Sequence, residues 1–233
     1  MMFPTLEKLL NLDQHITLAL NGSDSLFLDN VIMAITQTVT WIPMALVLIY
    51  VLIRNNNMQT LGLLLLMLGL CILFSDQMSS SFTKPYFARF RPTQDPQIMY
   101  LVDVVDGYRG GKYGFFSSHA ANTFSITIFL SLLFRYRPVI LGLLSWTLLN
   151  CYSRIYLGVH YVGDVLMGIV WGSIVGTLLY FVSKRMGLTP SNGNTTADDY
   201  FTKSGYQIST MHLFLYALLL TYVLIIISAV KAC

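Results

Sequence analysis

The sequence predicts an all-α fold: a polytopic transmembrane helical bundle of six spans with an N-terminal interfacial helix, forming one integral-membrane domain over residues 1–233. Three observations predict it. Only 11% of the residues are charged, against about 25% in ordinary soluble domains. Hydrophobic residues make up 55% and the mean hydropathy is +0.63. Apolar runs of about 20 residues, the length that crosses a bilayer as a helix, recur along the chain.

In residues 1–24, Leu6, Leu9, Leu10, Ile16, Leu18 and Leu20 mix with Glu7, Lys8, Asp13 and Gln14, the weak amphipathicity of a helix lying in the interface. Residues 1–22 lack the basic start and compact apolar core of a cleaved leader. The first span, residues 28–53, has a polar first half containing Asp29, Asn30, Thr36, Thr38 and Thr40. The others are residues 59–81, 118–134, 139–157, 162–183 and 211–230. Only Arg135-Tyr136-Arg137-Pro138 joins the third to the fourth, which forces an antiparallel hairpin. In the fifth, Gly168, Gly172 and Gly176 recur every four residues, a spacing that lets a neighbouring helix of the bundle approach closely. Residues 187–209 read as a flexible polar loop; its Asn194-Thr-Thr fits a glycosylation acceptor, expected on the inner side and unused.

Composition also excludes. A net charge of +3, with the basic residues dispersed, does not suit nucleic acid. Cys71 and Cys151 lie in apolar runs and Cys233 is the last residue, with no C-x-x-C spacing of a metal or redox site. Neither a cofactor nor a metal is called for.

Three polar clusters stand against this apolar background. They are Lys84-Pro-Tyr-Phe-Ala-Arg-Phe-Arg91-Pro92, Ser117-Ser118-His119, and Ser153-Arg154 followed by His160 and Asp164. Each charge would cost about 2.5–3.5 kcal/mol at a bilayer centre. The first cluster follows the second span, the second opens the third, and the last sits between the fourth and fifth. An even number of crossings separates them, so all three meet at one membrane face, inside a catalytic core of residues 76–183.

Together they suit a phosphate ester. Lys84 and Arg91 with Arg154 supply cations, the planar fork of arginine matching phosphate oxygens. Ser117 and Ser118 begin a helix, where hydroxyls and free backbone N–H groups face an anion. His160 and Asp164, four apart on a helix, share a face: Asp164 accepts the Nδ1 proton and leaves Nε2 free to attack. His119 then protonates the leaving oxygen. Asp76, near the end of the second span, is expected to pair with Arg154 or Arg91, or to form a purely structural ion pair. Lys112, in the glycine-flanked segment Gly110-Gly111-Lys112-Tyr113-Gly114, reads either as part of a lid meeting a second anionic group or as part of a merely flexible loop.

The motifs Lys-x6-Arg-Pro, Ser-x-His and Ser-Arg-x5-His-x3-Asp, in this order, resemble those of the type 2 phosphatidic acid phosphatase superfamily, over residues 76–176. The family joins membrane lipid phosphatases to soluble vanadium haloperoxidases. The resemblance implies a metal-independent reaction through a phosphohistidine on His160, with His119 as acid and Lys84, Arg91, Arg154 and Ser117 cradling the phosphate. The second motif departs from the pattern: the family's usually reads Pro-Ser-Gly-His, and here it is Phe116-Ser117-Ser118-His119, with Ser118 in the place of the glycine.

The compact six-span form resembles bacterial phosphatases of lipid A, undecaprenyl diphosphate or phosphatidylglycerol phosphate. The expected partner is therefore a phosphorylated membrane lipid, lipid A (1- or 4'-phosphate) ahead of undecaprenyl diphosphate or phosphatidylglycerol phosphate. Basic short connectors around Arg54, Arg135 and Arg137 read as cytoplasmic. With the resemblance, they imply an inner-membrane enzyme whose site faces the periplasm. Two rivals remain at this stage: a haem protein with His119 and His160 as axial ligands, which leaves the three cations without a role, and a non-catalytic lipid transporter that has kept the fold.

Overall fold

The structure, a computed structural model, describes residues 4–188 and 200–233. It is all-helical: α1 Pro4–Leu20, α2 Leu26–Thr36, α3 Ile42–Asn55, α4 Met58–Asp76, α5 Lys84–Phe87, α6 Ser118–Phe134, α7 Arg137–Tyr156, α8 Val162–Arg185 and α9 Ile208–Ala232. Among the described residues four stretches are long and apolar enough to cross a membrane: Thr38–Asn55, Met58–Phe87, Val162–Arg185 and Ile208–Ala232. The burial pattern fits a lipid surround. Leu178 and Leu219 on the outside are 59% and 60% exposed, whereas Arg154 and Asp164 inside are 2% and 0% exposed.

The expected first span is not one helix. Thr40 Oγ1 donates to the Ala34 carbonyl (2.7 Å) and the Trp41 indole N–H to that of Ile35 (2.8 Å), so side chains satisfy the last carbonyls of α2. A single 3₁₀ turn, Thr38–Trp41, follows. Pro43 then sits in the first turn of α3, where its missing N–H costs nothing.

α4 runs on into a π-helical segment, Gln77–Thr83, before α5. The local sequence explains the widening. Thr83 Oγ1 donates to the Ser79 carbonyl (3.1 Å), while Ser80 and Ser81 bond the side chains of Asp76 and Gln77 (3.2 and 2.8 Å). Such local bonds compete with the α-helical ladder, and Pro85 has no N–H to donate to it.

α6 is the central helix, buried on nearly every side, and it packs most extensively on α8. The glycine stripe makes that contact. A Cβ on Gly168 would stand 2.6 Å from the Ser117 carbonyl oxygen, and Gly172 and Gly176 sit equally tightly on the carbonyls of Ala121 and Ser125. The register advances in the same direction on both helices, so α6 and α8 are parallel and both begin at the same end of the bundle. The Ser117 N–H donates to the Asp164 carbonyl (3.0 Å) there.

At the opposite end, Asn55 bonds Thr210 (3.0 Å) and Ser204 bonds the Phe134 carbonyl (2.6 Å). These contacts correct part of the expected flexible loop. Residues 189–199, with Asn194, lie outside the described residues. Residues 200–207, however, form a built turn: the Thr202 N–H bonds the Tyr206 carbonyl (2.8 Å) and Tyr206 is fully buried. Tyr206 supplies an apolar ring that a reading of the loop as polar overlooks.

Candidate active site

Each cluster is delivered by a distinct local device. Arg89, Phe90 and Arg91 pair with Lys112, Tyr113 and Gly114 in a short antiparallel ladder: Arg91 N–H to Lys112 carbonyl (3.1 Å), Gly114 N–H to Arg89 carbonyl (2.9 Å), with Phe90 opposite Tyr113. Extended backbone alternates its side chains, so Arg89 and Arg91 point to one side and Phe90 to the other. The Arg91 guanidinium is aimed by bonds to the carbonyls of Tyr113 (3.1 Å) and Val159 (3.3 Å).

Arg154 closes the last turn of α7. It bonds the Thr36 hydroxyl at the end of α2 and the Tyr108 hydroxyl (3.0 Å). Gly158, at φ +63°, then reverses the chain, a conformation that an L side chain adopts only with strain. The N–H groups of Val159 and His160 fold back onto the Arg154 carbonyl (both 3.2 Å). The reversal sets His160 beside α8, whose first turn carries Asp164.

His160 is 2% exposed. Burial, then the positive charges of Arg91 and Arg154, hold its imidazole well below the usual 6.5. The ring is therefore neutral, the form in which it can attack. Its Nδ1 lies 3.5 Å from Asp164 Oδ2 and has no hydrogen-bond partner among the described residues. The contact is longer than the expected hydrogen bond, because Asp164 is already engaged. Oδ2 accepts the Tyr161 N–H (3.1 Å) and Oδ1 the Arg89 guanidinium (2.8 Å). Gly114 closes the other side: a Cβ there would stand 3.1 Å from Asp164 Oδ2 and 3.5 Å from His160 Nδ1.

Ser117 caps α6, its hydroxyl accepting the Ala120 N–H (3.4 Å). His119 lies in the first turn of α6, under the charges of Arg154, Lys84 and Arg91 and next to His160. The Ser118 hydroxyl joins Lys84 to a polar cluster of the π-helical segment. It accepts from Lys84 Nζ (2.6 Å) and contacts the hydroxyls of Ser79 (2.8 Å) and Ser80 (3.2 Å). Ser79 also donates to the Phe116 carbonyl (2.7 Å), fastening the loop to the π turn.

One expectation fails. Asp76 pairs with neither Arg154 nor Arg91; it accepts from Ser80 (3.2 Å) instead, because Ser80 is one turn away and nearer than any guanidinium. Lys112 stands over the rings of Phe90 (5.5 Å) and Tyr113 (5.4 Å), and the ladder pins its segment at residues 112 and 114. Two residues that sequence reasoning passed over are central. Arg89, given no role of its own within the first cluster, bridges Asp164 and Asp13 (2.8 Å each). The signal for Arg89 was its place two residues before Arg91; for Asp13 there was none beyond a carboxylate in a weakly amphipathic helix.

Among the described residues the ion pairs are those two, with neutral His160 also facing Asp164. Lys84, Arg91 and Arg154 therefore converge with no carboxylate within 4.0 Å. Burial and the nearby charge of Arg154 both push the Arg91 guanidinium down. The buried Nε of Arg154 has no hydrogen-bond partner among the described residues. Three unneutralised cations beside a neutral histidine make a receptor for an anionic group. Among the described residues no three His, Cys, Asp or Glu side chains are grouped as metal ligands would be.

Comparison with known proteins gives the family. The model of the PAP2 superfamily matches residues 59–187. The chain belongs to the PAP2 superfamily. It is similar to the lipid A 4'-phosphatase of Bacteroides thetaiotaomicron, 38% identical over 182 residues that span 78% of this chain and 81% of that protein. The lipid A 4'-phosphatase of Porphyromonas gingivalis is also 38% identical, over 177 residues spanning 76% of this chain and 75% of that one. The fold resembles the crystal structure of the transmembrane PAP2 type phosphatidylglycerolphosphate phosphatase from Bacillus subtilis, with TM-score 0.58 and 20% identity over 79% of this chain and 89% of that one. The resemblance read from the three motifs thus holds. Family and relatives point to a phosphoric monoester hydrolase, a membrane lipid phosphatase.

Proposed function

We propose that this PAP2 enzyme removes the 4'-phosphate of lipid A, from the periplasmic face of the inner membrane, through a metal-independent phosphohistidine. The observation that carries the phosphate chemistry is the convergence of Lys84, Arg91 and Arg154, without carboxylate partners among the described residues, on a neutral His160. The substrate rests on the two relatives, each 38% identical across three quarters or more of both chains. In this reading α3, α4 with its continuation, α6, α7, α8 and α9 are six crossings, and α1 lies in the interface.

The steps balance as follows. The three cations and the first turn of α6 hold the phosphoryl oxygens. Nε2 of His160 attacks phosphorus, and the bond to the sugar oxygen breaks with its electron pair leaving on that oxygen, which takes a proton from His119, itself protonated as the phosphate dianion binds and offsets the three cations. The positive charge on the imidazole is met by Asp164, whose 3.5 Å contact shortens as substrate settles, in the way that resting-state catalytic bonds tighten on complexation. Water, giving its proton to His119, then attacks the phosphohistidine and releases inorganic phosphate and neutral His160. Positioning and charge do most of the work in such transfers.

The test is mass spectrometry of lipid A from a heterologous strain expressing the chain, with His160→Ala as control, and phosphate release by purified protein in excess chelator. Loss of the 4'-phosphate only with active enzyme, undiminished by the chelator, is expected. Intact lipid A beside cleaved undecaprenyl diphosphate would move the assignment to carrier-lipid recycling. Wild-type turnover in His160→Ala would remove the nucleophile, and activity lost in chelator and restored by a divalent ion would remove the metal-free mechanism.

A further inference from the structure

Asp164 reaches its geometry through a contact from outside the family core. α1 lies before residues 59–187, yet its Asp13 has both oxygens committed to the site's rear wall. Oδ2 accepts the Arg89 guanidinium (2.8 Å) and Oδ1 the Gly163 N–H (2.8 Å). Gly163 permits the approach, since a Cβ there would stand 2.7 Å from Asp13 Oδ2. One turn along α1, buried Thr17 accepts the Val162 N–H (3.1 Å). Two of the unsatisfied N–H groups of the first turn of α8 are therefore capped by α1 rather than by the chain just before α8.

Arg89 is the transmission. Its other nitrogen donates to Asp164 Oδ1 (2.8 Å), and its guanidinium lies 4.0 Å over the Tyr161 ring, whose hydroxyl is fixed to Asp95 (2.7 Å). Burial alone would lower the pKa of the guanidinium, but the Asp164 and Asp13 carboxylates outweigh it and raise it. A planar fork held at two prongs and stacked on one face has no rotational freedom left.

We infer that Asp13 is a positioning residue of the phosphatase reaction: acting through Arg89, it sets the Asp164 carboxylate and hence the ring of His160, so that α1 is part of the catalytic apparatus. This rests on reading His160 as nucleophile and Asp164 as its orienter. Asp13→Asn weakens the hold on Arg89 without touching Lys84, Arg91 or Arg154.

The experiment measures kcat and KM for phosphate release from the lipid, with thermal midpoints in detergent, for Asp13→Asn, Arg89→Gln, the double variant, Thr17→Val and His160→Ala. Asp13→Asn should lower kcat about 10–100-fold, the range over which outer partners of a site act, with KM within about twofold. In the Arg89→Gln background the same change should add less than about twofold, as expected for residues acting in series. Thr17→Val, which loosens α1 without touching Arg89, should lower the thermal midpoint and leave kcat within about twofold. A wild-type kcat in Asp13→Asn, losses that multiply in the double variant, or a kcat loss in Thr17→Val matching that of Asp13→Asn would each overturn the inference. Turnover in His160→Ala would instead remove the reading beneath it.

Discussion

Ser118 stands where the motif that this chain resembles usually carries glycine, and the structure gives it a definite job. Its hydroxyl accepts from Lys84 Nζ at 2.6 Å and is braced by Ser79 and Ser80. An ammonium has three donors, so this bond leaves Lys84 others for a phosphate oxygen while fixing where they point. Ser118→Gly removes the brace. A hydrogen bond to a charged group contributes about 1.5–3 kcal/mol. Ser80 stands 3.4 Å from Nζ and takes up part of the loss, and Ser79 keeps the Phe116 carbonyl, so the lower end applies. A loss of about 1.4 kcal/mol is tenfold, and kcat/KM should fall by about that factor. The assay is phosphate release at subsaturating lipid, repeated with Lys84→Met in both backgrounds. The Lys84→Met penalty should shrink once Ser118 is glycine, because the lysine it removes is already misplaced. If Ser118→Gly matched or exceeded wild type in kcat/KM, the hydroxyl would be competing with phosphate for Lys84, and the bracing argument would be wrong.

Acid should destabilise the fold through His160. Its folded-state pKa is depressed, so as pH falls below about 6.5 the unfolded chain binds a proton that the folded chain refuses, and stability falls with it. Thermal midpoints measured from pH 7 to pH 5 should drop more steeply for wild type than for His160→Asn; parallel slopes would contradict this. In the membrane interior, Gly172→Ala drives a methyl against the Ala121 carbonyl and to 3.0 Å from Phe124 Cβ, which should cost about 1–3 kcal/mol. Gly62→Ala and Gly69→Ala on α4 meet nothing within 4 Å and should stabilise by about 0.5–1 kcal/mol. Detergent melts of the three variants test the contrast.

The sequence was most legible where chemistry and periodicity agreed. The expected third span coincides with α6, and the fifth begins with α8 at Val162, because a serine cap and a glycine reversal mark those starts. The motif order named the side chains that meet in the site. What stayed hidden was decided by contacts distant along the chain. The break between α2 and α3 depends on Thr40 and Trp41 reaching back to carbonyls of α2, which an apolar run does not announce. Arg89 and Asp13 are 76 positions apart, and neither has a local pattern to mark it. Asp76 misled because a carboxylate beside a polar cluster suggests an arginine partner, whereas the π turn supplies a serine first.

That break between α2 and α3 has a mechanical consequence. Because α2 ends at Thr36, its last residue reaches the Arg154 guanidinium, while its flank packs along α9, as α3 does. Asn30 of α2 even touches Cys233 (3.7 Å). Arg154 thus hangs from a bracket formed by α2 and α9. The guanidinium of Arg154 is thereby tied mechanically to α9, which is remote in sequence from every motif.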